Sequence, residues 1–149
     1  MSTKFSHVNI ISRDWQALAG FYILVFDCRL QLPRRELSGQ WVDDLTGIKD
    51  CTIRGAHLLL PGYEPGGPTL EIFEYRETLP NKNKQIDLEG FAHIAFGVDD
   101  VEEKVALLLS HGGSLMGKLV DTTIEGVGRI RVVYARDPEG NIVEIQKWN

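Results

Sequence analysis

Hydrophobic and polar positions along the chain fall into a pattern that occurs twice. The segment Phe5-Ser6-His7-Val8-Asn9-Ile10-Ile11 is apolar and β-branched with partial alternation, which predicts a strand over residues 4–11. Residues 14–26 follow, with Trp15, Leu18, Ala19, Phe21, Tyr22 and Val25 at helical spacing, after Ser12 or Asp14 as N-cap. Residues 29–35 predict a short strand ending near Pro33, and residues 51–60 a strand stopped by Pro61-Gly62. Between them, residues 36–50 are polar, carry Trp41 and Gly47, and predict a loop or lid. Thr69-Leu70-Glu71-Ile72-Phe73-Glu74-Tyr75 predicts the strand that closes the first half.

The second half repeats this order. Phe91-Ala92-His93-Ile94-Ala95-Phe96-Gly97-Val98 predicts a strand. Residues 100–111 predict a helix with Val101, Val105, Leu108 and Leu109 inward, stopped at Gly112-Gly113. Strands are predicted over 114–120 and 129–136, around a Gly126/Gly128 loop. The turn Asp137-Pro138-Glu139-Gly140-Asn141 leads into the last strand, which carries Glu144. Each half therefore reads βαβββ. The chain is one duplicated 1–149 domain with a first module at about 4–76, a charged and amide-rich linker at about 77–89 and a second module at about 90–149.

Composition narrows the function classes. Hydrophobic residues make up 43% and charged residues 25%, an ordinary globular balance. A formal net charge of −5 with scattered basic residues argues against nucleic acid or an anionic membrane as partner. Cys28 and Cys51 form no CxxC pair and fit a reducing, cytoplasmic setting. No signal peptide and no 18-residue apolar run is apparent.

The candidate chemistry lies on the predicted strands. His7 opens the first half and Glu71 closes it, while His93 opens the second and Glu144 closes it. Side chains alternate across a strand. If Val8/Ile10 and Ile94/Phe96 meet their helices, both histidines point the other way. Glu71 and Glu144, flanked by Leu70/Ile72 and Val143/Ile145, do the same. Buried polar groups are costly unless something binds them. Two imidazoles and two carboxylates suit a divalent metal. Nickel, cobalt, zinc, manganese and iron all accept such donors.

The other polar and aromatic candidates carry weaker signals. Glu74 lies on the opposite face from Glu71, and His57, in Gly55-Ala56-His57-Leu58, has no repeat partner and reads as structural or at the surface. His111 ends a helix and complements its dipole. Asn9, Trp41, Phe73, Tyr75 and Trp148 are candidate substrate contacts, the aromatics equally candidates for plain core or interface. Arg129 and Arg131 are candidates for an anionic group, against a solvated strand edge as the simpler reading. Gly126 and Gly128 lack the strand-then-helix context of a phosphate loop.

These segments resemble the glyoxalase/bleomycin-resistance/dioxygenase group, the vicinal oxygen chelate superfamily. The matching residues are His7-Val8-Asn9 with Phe21-Tyr22, Leu70-Glu71-Ile72, Ala92-His93-Ile94-Ala95-Phe96, and Asp137-Pro138-Glu139-Gly140-Asn141 through Glu144. The resemblance implies an α+β fold of two tandem βαβββ modules in a curved, partly open barrel, commonly a homodimer. It implies that His7, Glu71, His93 and Glu144 occupy the four metal-ligand positions of glyoxalase I-like members. It implies a lyase or isomerase that moves a proton next to a carbonyl, with Glu144 or Glu71 as the base. Four residues beyond the first and second ligands, where bacterial glyoxalase I holds glutathione with Arg and Asn, stand Ile11 and Tyr75, which weighs against glutathione. Three alternatives within the resemblance are a methylmalonyl-CoA epimerase type, an extradiol-type dioxygenase using His7, His93 and Glu144, and a metal-free drug-binding resistance protein.

Overall fold

The computed structural model describes residues 2–149, in two compact units that divide between Pro80 and Asn81. In the first unit the order is β1 (His7–Ile11), α1 (Trp15–Phe26), β2 (Arg29–Ser38), α2 (Gln40–Thr46), β3 (Thr52–Leu59) and β4 (Thr69–Tyr75). Its sheet runs β1-β4-β3-β2, with β1 parallel to β4 and the other pairs antiparallel. In the second unit the order is β5 (His93–Gly97), α3 (Val101–Ser110), β6 (Ser114–Leu115), β7 (Val120–Ile124), β8 (Gly128–Arg136) and β9 (Ile142–Trp148). Its sheet runs β5-β9-β8-β6, with β7 also on β8 and β5 parallel to β9. Both β6 and β7 pair with β8, so together they take the place that β2 fills in the first unit.

Both long helices start where a carboxylate caps them. Asp14 accepts from the Ala17 N–H at 3.0 Å and Asp100 from the Glu103 N–H at 2.9 Å. α1 buries Leu18, Phe21, Tyr22, Val25 and Phe26. Val8, Ile10, Leu58, Leu70 and Ile72 share the sheet face that this helix covers, and the last three are fully buried. Each such side chain contributes about 1.5–3 kcal/mol by leaving water. α3 buries Val101 and Leu108, but Leu109, expected inside, is 47% exposed because the helix offers only a narrow stripe to β9.

The stretch 36–50 is not a loop. β2 continues to Ser38, Gly39 turns at φ +102°, and α2 follows. Asp43 holds the exit of α2, accepting from the Asp50 and Cys51 N–H groups at 2.8 and 2.9 Å. Val42 alone of this helix is buried, in a cluster with Cys51, Ile53 and Phe73. The expected linker is tied down at Thr78, whose hydroxyl oxygen accepts from the Tyr75 N–H, and at Lys84, which donates to the Glu139 carbonyl and whose own carbonyl accepts from Arg136.

Both cysteines are free and buried. Burial, with Asp27 alongside, pushes the Cys28 thiol up to about 12. A thiol with so little thiolate should react roughly a thousandfold more slowly at pH 8 than an ordinary cysteine. Alkylation followed by mass spectrometry, native against denatured, checks this. The sign for stability follows: the unfolded chain releases this proton first, so stability falls as pH rises above about 9 towards 12.

Candidate metal centre

Strand register decides which side chains meet. In the first unit Asn9 pairs with Glu71 across β1–β4, and His57 pairs with Glu71 across β3–β4. Alternation then puts His7, Asn9, His57, Glu71 and Phe73 on the face away from α1. Glu71 is 9% exposed and engaged at both oxygens. Asn9 Nδ2 donates to Oε1 at 2.8 Å, and His57 Nε2 lies 2.7 Å from Oε2. His7 Nε2 stands 3.7 Å from Oε1, with its ring edge-on to His57 at 5.5 Å between centroids. Burial holds the His57 imidazole below the ordinary histidine range; Arg35 and His7 act in the same direction and Glu71 opposes them.

The second unit repeats half of this arrangement. Ala95 and Tyr134 flank Glu144 in register, on the face away from α3. His93 Nε2 lies 2.9 Å from Glu144 Oε2, and the Tyr134 ring stands 5.0 Å from the His93 ring. The two expected His/Glu pairs are therefore each brought together within their own unit. Asn9 also joins its site, where it holds the carboxylate.

Three other expectations change. His57, expected to be structural or at the surface, is half-buried and lies beside Glu71 and His7. It also has a repeat partner, Tyr134, at the same register position beside the closing glutamate. The sequence signal was present: Ala56 and Leu58 flank His57 as apolar residues flank each glutamate, which fixes its face. Arg129 stands on the α3 side of its sheet, opposite to Glu144, and its Nε donates to Asp121 Oδ1 at 2.8 Å. Arg131 is held there as well, by Asp121 and Glu102.

Of the aromatic candidates, Phe73 is buried and Tyr75 packs beside it, so both close one end of the His/Glu face of the first unit. Burial pushes the Tyr75 phenol up, with Cys51 and Glu71 adding to the shift. Trp41 is 56% exposed on α2, and Trp148 donates its indole N–H to Gln146.

His7, His57 and Glu71 each offer a donor atom within 4.8 Å of the other two, so the first unit alone presents a group able to hold a metal ion. Two nitrogens and a carboxylate fit a borderline divalent cation. Among the described residues no helix is long and apolar enough to cross a membrane.

Comparison with known proteins agrees with this fold. The structure resembles a glyoxalase family protein from Bacillus cereus at TM-score 0.85 and 20% identity, over 99% of this chain and 95% of that one. It resembles a glyoxylase/bleomycin resistance protein/dioxygenase domain from Frankia at TM-score 0.65 and 17% identity, over the whole of both chains. The trypanothione-dependent glyoxalase I of Leishmania major aligns at TM-score 0.64 and 22% identity, over 98% of this chain and 87% of that one. No curated protein matches the sequence. The family model of the Glyoxalase/Bleomycin resistance protein/Dioxygenase superfamily matches residues 4–145, and the chain belongs to that superfamily.

Proposed function

We propose that this protein is a divalent-metal-dependent, glyoxalase-like lyase or isomerase that moves a proton next to the carbonyl of a small substrate. The observation that carries the reading is the duplicated pair: in each unit an imidazole nitrogen faces the carboxylate of the closing strand, on the sheet face its helix leaves uncovered. His7, Glu71, His93 and Glu144 would hold the cation. Once bound, it would supply Lewis-acid stabilisation of the oxyanion that develops as the proton leaves carbon.

Glu71 is clamped by Asn9 and His57 and suits a fixed ligand. Ile11 and Tyr75 stand where glutathione contacts would be needed, which favours a co-substrate other than glutathione or none. A cytoplasmic homodimer is part of the same proposal.

Purified protein is expected to carry about one divalent cation per chain. Chelation should abolish turnover, and one of nickel, cobalt, zinc, manganese or iron(II) should restore it. The assay panel is a methylglyoxal–glutathione adduct, an acyl-CoA epimer pair and a catechol. Oxygen uptake with the catechol would move the protein to the dioxygenase branch. Absence of both bound metal and metal dependence would overturn the proposal.

A further inference from the structure

The second imidazole of the first unit goes beyond the four ligands above, although its role rests on the same metal-dependent reading. Its surroundings are those of a ligand. His57 Nδ1 lies 2.8 Å from Thr69 Oγ1, one strand over. A ligating histidine characteristically gives its second ring N–H to an oxygen, which fixes the tautomer and aims the other nitrogen. In the tautomer that donates Nδ1–H to Thr69, the Nε2 lone pair is aimed to the side where Glu71 Oε2 lies at 2.7 Å. In the cation-free protein the other tautomer, with the Thr69 O–H donating to Nδ1, places the Nε2 proton where a bound cation would stand.

The spacing also fits. His7, Glu71 and His57 sit on three neighbouring strands, β1, β4 and β3, of which β4 is central. The imidazole-to-carboxylate separations are 2.7 and 3.7 Å. A cation with bonds of about 2.0–2.2 Å separates its donors by roughly 3 to 3.5 Å. These two separations lie either side of that range, and all three donors lie within 4.8 Å of one another. Asn9 remains free to hold Glu71 Oε1 from outside. In the second unit the register position of His57 is Tyr134, so the two copies have diverged here.

We propose that His57 is a direct metal ligand, and that His7, His57 and Glu71 form a three-donor site for a borderline divalent cation carried by the first unit by itself. The test uses the full chain, stripped by chelation and titrated with cobalt(II), read by visible absorption and by competition with a chromophoric chelator. His57→Leu and His57→Gln are both expected to weaken cobalt binding by more than about a hundredfold, beyond what loss of an outer partner costs. Both should also shift the cobalt absorption bands. The doubly substituted His93→Ala, Glu144→Ala chain should still bind cobalt.

Wild-type affinity and bands in both His57 variants would overturn the inference while leaving the metal-dependent reading intact. So would His57→Gln restoring what His57→Leu loses, since an amide at that point replaces a hydrogen-bond donor but not an imidazole ligand. Loss of all cobalt binding in the double variant would show that the first unit does not suffice. A wild-type chain that binds no cation would sink the functional reading as well. Circular dichroism separates unfolding from ligand loss, and His57→Gln, which keeps a donor towards Glu71, holds the test open if His57→Leu does not fold.

Discussion

Gly55→Ala is expected to lower the melting temperature by roughly 10 °C, the equivalent of about 3 kcal/mol in a chain of this size. A Cβ at position 55 would stand 2.1 Å from the Ile72 carbonyl oxygen and 2.6 Å from Phe73 Cδ1. The first of these is backbone of β4, and residues 69–73 of that strand are all buried between β1 and β3. Nothing there can move aside without breaking ladder pairing. The damage would fall next to the site, because Gly55 and His57 are alternate residues on one face of β3. Gly20→Ala is the internal control. Gly20 lies inside α1 with nothing near its added Cβ, so alanine should stabilise by about 0.5–1 kcal/mol. Calorimetry on the two variants checks both signs. An unchanged melting temperature for Gly55→Ala would mean that β3 and β4 approach less closely than described here.

What the sequence made legible follows from how strongly each segment is constrained. β1, β4, β5 and β9 are short, apolar and bounded by clear turns, so both their type and the facing of His7, Glu71, His93 and Glu144 could be read from alternation. α1 and α3 announced themselves through Asp14, Asp100 and an apolar stripe. α2 did not, because a seven-residue helix that buries only Val42 leaves no periodic trace; its exposed Trp41 and Leu45 make it look irregular. β2 hid its length behind Leu32-Pro33, where the pairing with β3 shifts register between Gln31 and Arg35. His57 was missed for a different reason. Its face was readable, but its partner depended on the β3–β4 register, which a nine-residue connection rich in glycine and proline leaves open. The face of Arg129 depended on register as well: strand parity, counted from Trp148 paired with Ile130, places it on the helix side, where it is exposed.

Glu144→Gln should reduce turnover by a factor of about 10²–10⁴ while leaving the fold intact. The amide keeps the size and one acceptor oxygen of the carboxylate, and the side chain faces a single imidazole nitrogen at 2.9 Å, so the amide can rotate to satisfy it. What it lacks is a group that can take a proton from carbon. Glu71→Gln should behave otherwise. Its two oxygens meet Asn9 Nδ2 on one side and His57 Nε2 on the other, and residue 71 is 9% exposed. An amide there can keep its oxygen towards Asn9 and turn its NH2 towards the His57 Nε2 lone pair, so the fold is kept, but an uncharged amide holds a divalent cation more weakly than a carboxylate. Glu71→Gln is therefore expected to lose cation affinity, with turnover partly restored by added cation, whereas Glu144→Gln, which also removes a carboxylate from the cation, stays slow even when saturated with it. Steady-state kinetics, metal titration and thermal unfolding on the two variants separate a fixed ligand from a base. Intact turnover in Glu144→Gln would remove that residue from the proton-transfer step and return the role to Glu71, whose double clamp would then have to loosen when substrate binds.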